Sequence, residues 1–323
     1  MMSWNRIILD DHVAGSDLAG QIDALFAQQR ENWPLLRDGL AALEQAKSKV
    51  LAQDGAQIVL QANPGRKAST HAHLDAKTIA RRPCFLCSDN IPTEERGIAF
   101  GELVILPNPF PVLSRHCTIP DRTHAPQLLA GRIGTMLELA QAIGPEMLVF
   151  YNGPSCGASA PDHFHFQACD AASIPLLGEL PVLGHSSVCT IHQSFGRCML
   201  VLANRHAERM QGRIHQAVDA WSQQSGATGA AADVEPMLNL LALFRDGRLI
   251  CVLFPRVAHR PACYFVDGPK KIAISPATLE MAGLLVVAEP DHFDRVDATV
   301  ARQIYEEVSA EETRCAQLME AIR

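Results

Sequence analysis

Tyr151-Asn-Gly-Pro-Ser-Cys-Gly-Ala-Ser-Ala-Pro-Asp-His-Phe-His-Phe-Gln167 decides the reading of this chain. An apolar run, Met147-Leu-Val-Phe150, leads into it with the composition of a strand. A turn of Gly, Pro and small residues follows, and the stretch closes on an alternating His163-Phe164-His165-Phe166-Gln167. On a strand, alternation sends His163, His165 and Gln167 to one face and both phenylalanines to the other. The Gly/Ser loop beside them offers backbone N–H groups to phosphate oxygens. An amphipathic edge strand facing water is the plain alternative, and the strict spacing of two imidazoles and an amide argues against it.

His163-x-His165-x-Gln167 resembles the signature of the histidine triad superfamily. It is most similar to the branch of galactose-1-phosphate uridylyltransferases, diadenosine tetraphosphate phosphorylases and GDP-hexose phosphorylases, which carry Gln where the hydrolases carry a third His. Gly157-Ala158-Ser159-x-Pro161 resembles the diadenosine polyphosphate phosphorylases, and His-Phe-His-Phe-Gln-Ala168 the GDP-hexose phosphorylases. The chain departs from the pattern at Asp162, which separates Pro161 from the first His. The likeness is strong over residues 60 to 170, weaker over 235 to 290, and absent before residue 55. No second triad follows. The resemblance therefore implies an α+β fold of two tandem histidine-triad-like halves, with antiparallel sheets and packed helices. The expected divisions are a helical segment at 1–55, a catalytic half at 56–183 and a degenerate half at 184–323.

The 323 residues suffice for one large core or two modest ones. A content of 48% hydrophobic and 20% charged residues is that of a soluble globular protein. A net charge of −7 without a basic run argues against nucleic-acid coating or a polybasic membrane role. No stretch reads as a signal peptide, and no apolar segment reaches the ~18 residues of a membrane span. Ten scattered cysteines fit reduced thiols in a cytoplasm.

Along the chain, residues 16 to 54 read as helical packing or interface elements, which leaves a homodimer open. Gln57 to Gln61 reads as a strand, and Arg66 and Lys67 follow on a basic loop, a phosphate contact or a solvated turn. Cys84-Phe-Leu-Cys87 is half of a zinc site, a redox pair or a coincidence. No βαβ setting supports a redox pair. Zinc needs two more ligands, and His116 and His163 are the candidates, in an order resembling zinc-binding members of the superfamily. The resemblance extends to the Asn108 to Ile119 segment. Residues 126 to 142 and 205 to 221 read as helices, and 188–192 and 198–203 as strands. Residues 223 to 232 read as a Gly/Ala/Ser linker. Asp246-Gly247 signals a hairpin between the apolar runs 238–244 and 248–254. The loop from Pro255 to Pro261 gathers Arg256, His259 and Arg260.

The resemblance implies His165 as the nucleophile that attacks the α-phosphorus of a nucleoside di- or polyphosphate. Imidazole suits this role because it is uncharged near neutral pH and its phosphoramidate is labile. Gln167 would steady the non-bridging oxygens, with Ser159, Asn152, Gly153 and Gly157 around the phosphates. Asn108, Arg66, Lys67, Arg256, His259 and Arg260 are further candidates for binding, each with an ordinary surface role as the alternative. The expected function is a nucleotidyltransferase of phosphorylase type, with structural zinc, splitting a nucleotide-sugar or dinucleoside polyphosphate with phosphate. A hexose-1-phosphate uridylyltransferase is the alternative, and a non-catalytic, zinc-stabilised nucleotide binder is the second. The intact nucleophile argues against the binder.

Overall fold

The computed structural model describes residues 4–13, 15–66, 76–180, 188–227 and 235–322. Its strands in chain order are β1 (Ile8–Asp11), β2 (Lys47–Gln53), β3 (Ala56–Ala62), β4 (Gly97–Phe100), β5 (Leu103–Pro107) and β6 (Cys117–Pro120). β7 (Met147–Asn152), β8 (His165–Asp170), β9 (Val188–Ser194), β10 (Arg197–Asn204), β11 (Leu238–Arg245), β12 (Arg248–Pro255) and β13 (Leu284–Val287) complete them. Ten form one sheet in the order β1-β4-β5-β6-β8-β7-β11-β12-β10-β9, and β13-β3-β2 form a second, smaller sheet. All neighbours in the large sheet are antiparallel except β1 and β4.

The large sheet runs through both expected halves without a break. β7 pairs with β11 from Asn152↔Asn239 to Val149↔Ala242. In the small sheet β3 of the first half pairs in parallel with β13 of the second. Alternation along the strands feeds two cores. Leu240 and Ala242 face a layer of helices that includes α1 (Leu18–Asn32), α2 (Pro34–Glu44) and the helices Ile133–Ile143 and Ala207–Ser225. Leu241 and Leu243 face the small sheet and the helix Ala298–Val308.

The Asp246-Gly247 hairpin forms as expected, with φ of +53° and +71° and Arg245 paired to Arg248. Asp54-Gly55 is the same device, at φ +53° and +80°. It folds Lys47–Gln53 back on Ala56–Ala62 as a strand, so the helical expectation fails beyond Glu44. The helix expected from residue 126 starts only at Ile133, after Gly131 at φ +74°. The expected linker at 223–232 begins late, because its helix runs to Ser225 and closes on Gly226 in the left-handed region. Among the described residues no helix is long and apolar enough to cross a membrane.

Candidate active site

His165 and Gln167 leave the same face of β8, while Phe164, Phe166 and Ala168 enter the opposite core. His165 is 2% exposed and lines a cavity of about 600 Å³. Its Nδ1 lies 2.8 Å from the carbonyl oxygen of His163. A carbonyl only accepts, so Nδ1 carries the proton and Nε2 is left with a lone pair. Among the described residues nothing hydrogen-bonds Nε2. Burial pushes the imidazole down to about 4, so it is neutral in mildly acidic and neutral solution.

The His165 backbone is held by a side chain that the sequence reading missed. Buried Gln127 accepts from His165 N at 2.7 Å and donates to His165 O and Asn152 O, each at 3.0 Å. The β7–β8 ladder is paired only as far as Phe150↔Gln167. Gln127 thus supplies the pairing a neighbouring strand would have given.

Gln167 has a fixed orientation. His116 Nδ1 accepts from Val112 N at 3.3 Å, so its Nε2 carries the proton and donates to Gln167 Oε1 at 2.8 Å. With its oxygen engaged, the Gln167 amide presents N–H groups to the cavity. His116 is therefore not a metal ligand here, which corrects the expectation from sequence.

His124 takes the place expected of His116. Its Nδ1 is 3.3 Å from Cys87 Sγ, and His163 Nδ1 is 3.2 Å from Cys84 Sγ and 3.5 Å from Cys87 Sγ. All four ligand atoms lie within 4.8 Å of one another. A tetrahedral ion bound to two sulfurs and two nitrogens has ligand-to-ligand edges of roughly 3.3–3.8 Å. His163 Nε2 donates to Asp121 O at 2.9 Å, which leaves Nδ1 as the ligand atom. Burial and Cys84 push the Cys87 thiol up to about 11, so holding two thiolates there calls for a cation. Cys84, Cys87, His124 and His163 can hold a metal ion. His163 also leaves the expected ladder: the strand starts at His165, and the His163 ring turns to the cysteines. Cys117 points into the helical core, as the alternation implies.

The turn before His163 meets the segment around Ala277. Gly157 has φ +118°, and a Cβ there would stand 2.5 Å from Ala277 Cβ. Only glycine fits. Ser159 lines the cavity beside it, and its carbonyl accepts from Arg82 Nη2 at 3.4 Å. The extra residue, Asp162, is bound by the same Arg82 at 2.6 Å, which ties the turn to the Cys84–Cys87 loop.

Asn152 borders the cavity, but its Oδ1 accepts from Thr278 N at 2.9 Å and Thr278 Oγ1 at 2.7 Å. That side chain braces the start of the helix Thr278–Met281. Gly153 turns against Leu238 O and does not line the cavity. Asn108 caps its own turn, accepting from Phe110 N and donating to Thr118 Oγ1.

Arg256 corrects a second expectation. Its guanidinium, 1% exposed, donates to Val308 O, Asn239 Oδ1, Pro276 O, Ala258 O and His259 O. It holds the wall together and has no reach left for a phosphate. His259 and Arg260, by contrast, line the cavity. Arg260 donates to Ser275 Oγ at 2.7 Å and stacks on Tyr264. Burial, helped by Arg260 and Arg256, pushes His259 down to about 4. Arg66 falls at the end of a short turn whose side chain is not described, and Lys67 lies outside the described residues.

The remaining wall was not legible beforehand. Trp33 and Leu35, where α1 gives way to α2, line the cavity together with Phe85, Glu95 and Phe110. Gly39 of α2 packs directly on the Pro109 carbonyl, which seats the helix there.

Residues 25–170 match the model of a family described as a domain of unknown function, DUF4922. No curated protein matches the sequence. Among solved structures, the chain is similar to yeast Ap4A phosphorylase Apa2 at 16% identity and a TM-score of 0.59, covering 92% of this chain and 95% of that one. The complexes of the same yeast enzyme with AMP and with Ap4A each align at 17% identity and a TM-score of 0.53, covering 88% and 85% of this chain and 96% of theirs. At such identity the likeness establishes the fold.

Proposed function

We propose that the protein is a nucleotidyltransferase of phosphorylase type, splitting a nucleotide-sugar or dinucleoside polyphosphate with orthophosphate. The observation that carries this reading is the Nδ1–H of His165 on the His163 carbonyl, which leaves a neutral Nε2 lone pair in the cavity. Nε2 attacks the α-phosphorus; the N–P bond forms as the P–O bond to the leaving group breaks. An orthophosphate oxygen then attacks the same phosphorus, the N–P bond breaks, and a nucleoside diphosphate leaves with His165 restored.

The Gln167 amide N–H groups donate to the non-bridging oxygens in both steps, held by His116. Gln167 has no proton to exchange, so water is poorly activated, and an acceptor bearing its own anionic oxygen is favoured. Ser159 and Arg260 offer further contacts to phosphate. In this reading zinc bound by Cys84, Cys87, His124 and His163 is structural and fixes the segment that carries His165. The fold shared with a phosphorylase crystallised with AMP and Ap4A supports a nucleotide in the cavity.

Incubation with nucleotide-sugars or dinucleoside polyphosphates and labelled orthophosphate tests the reading. Label is expected in the β-phosphate of the released nucleoside diphosphate, with parallel double-reciprocal plots. Equal consumption without phosphate would make the protein a hydrolase. Turnover only with a hexose phosphate would make it a uridylyltransferase.

A further inference from the structure

One carboxyl in the cavity has no part in this chemistry. The cavity floor crosses the sheet in register, from Gln167 to Thr118 and on to Leu106. Ile105 pairs with Ile98 on the next strand, so the row ends at the start of β4, two residues after Glu95. Three strand spacings, roughly 14 Å, separate Gln167 from this edge. That is the length scale of a nucleoside monophosphate lying across the strands with its phosphorus at His165.

Glu95 lines the cavity at 8% exposure, and among the described residues none hydrogen-bonds its carboxyl. Its backbone is pinned: Gln29 of α1 bonds Glu94 O and Arg96 N on either side, and Glu95 N donates to Pro92 O. The charged group nearest in effect is Arg6, whose terminal nitrogens are engaged by the carbonyls of Ser88, Ile91 and Pro92. Burial pushes the carboxyl up to about 8, with Arg6 opposing. Near neutral pH it therefore carries a proton until a ligand that donates to both oxygens draws it into the carboxylate form. A buried acceptor without a partner is costly, and a ligand that supplies donors relieves that cost. Trp33 and Phe110 also line the cavity, aromatic side chains of the kind on which a base stacks.

The bases differ in what they offer a carboxylate. Guanine presents N1–H and N2–H side by side, so both oxygens gain a charge-assisted bond. Adenine and cytosine each set an amino group beside a ring lone pair, and uracil sets one N–H between two carbonyls. Against the carboxylate each of these places an acceptor on an acceptor; only the protonated acid pairs with the adenine or cytosine edge, so it is the carboxylate form that discriminates. We propose that Glu95 reads the base of the bound nucleotide and selects guanine, its carboxylate accepting N1–H and one N2–H. This rests on the reading of the cavity as a nucleotide site.

Calorimetric binding of GMP, IMP, AMP, CMP and UMP to the full chain and to Glu95→Gln tests it. The expected order for the native protein places GMP about tenfold or more ahead of AMP, CMP and UMP, with IMP, which lacks the N2 amine, weaker than GMP. Glu95→Gln, which offers one acceptor and one donor, should abolish the guanine preference while keeping AMP binding. The series on the native chain stands even where the variant folds poorly. Binding of all five within threefold, a preference for another base, or a guanine preference unchanged in Glu95→Gln overturns this inference alone. Binding of none overturns the nucleotide reading, and this inference with it.

Discussion

The carbonyl of His163 accepts the Nδ1 proton of His165 at 2.8 Å, while the His163 ring points its Nδ1 at Cys84 and Cys87. One residue thus joins the candidate metal site to the candidate nucleophile through a single backbone unit. Its ring anchors the residue beside the two cysteines, and its carbonyl, on the same residue, fixes the tautomer of His165. Loss of the metal should therefore cost both stability and rate. His124→Ala is the cleanest probe, because His124 lies against Cys87 and His163 in the candidate metal site, whereas His163 itself is only two residues from His165. Metal content measured by elemental analysis should fall from about one zinc per chain, with a lower melting temperature. A metal-free native protein that melts unchanged would sink the metal reading.

His165→Ala should abolish turnover by several orders of magnitude while the fold and nucleotide affinity survive, since in the proposed reaction the imidazole forms the covalent bond. Imidazole added to His165→Gly should restore part of the rate by occupying the vacated space. Near-native activity in the alanine variant, with a verified substrate, would remove His165 from its role.

His116 separates the two sites. Because it donates to Gln167 and lies outside the cysteine cluster, His116→Ala should retain its metal. Its kcat should fall by about 10-fold to 100-fold, as an unheld Gln167 amide loses its aim at the phosphate oxygens. Metal lost in His116→Ala and kept in His124→Ala would reverse the assignment.

The contrast between those two histidines marks how far the sequence carries. Periodicity identified β7, β8, β11 and β12, and the His-x-His-x-Gln spacing brought His165 and Gln167 to one face. Both follow from local rules that depend only on neighbouring residues. Cys84, Cys87 and His163 followed as well, but the fourth member of the set did not. His116 and His124 flank the same strand, β6, and only its register against β8 decides which one faces the cysteines. Arg256 looked like a cation on a loop, and its five carbonyl and amide partners come from segments up to 52 residues away. Trp33 and Glu95 gave no signal either, because a cavity wall contributed by a helix junction and a loop has no period. Gln127 likewise gave no signal, because Pro126 at the first position of the expected helix is compatible with that helix.

A second buried carboxyl sets a pH dependence of stability. Glu235 accepts from Leu129 N at 2.6 Å and from the Tyr151 hydroxyl at 2.9 Å. Burial nevertheless pushes it up to about 7 from an ordinary 4.5, those two bonds opposing. The folded state therefore binds a proton that the unfolded chain has released across this window. Its contribution is fully present below pH 4.5 and is lost as the pH rises through about 7. Denaturant melts should show this group lowering stability by up to about 1.4 kcal/mol per pH unit over that range. Glu235→Gln, which cannot ionise, should flatten that slope; an unchanged slope would rule out Glu235 as its source.

Gln127 offers the most direct test of how the candidate nucleophile is positioned. Its side chain makes three bonds to buried backbone groups, two of them to His165 itself. Gln127→Leu fills similar volume and leaves one N–H and two carbonyls without partners, at about 1–3 kcal/mol for each buried group left unsatisfied. Gln127→Glu keeps the acceptor for His165 N but sets an acceptor against both carbonyls. Both variants should unfold at lower denaturant, the leucine variant by at least about 3 kcal/mol. Where they remain folded, kcat should fall by about 100-fold with little change in KM, because a shift of about 1 Å in the nucleophile is felt in the chemical step more than in binding. A stability loss with native kcat would mean that Gln127 holds the loop without aiming His165.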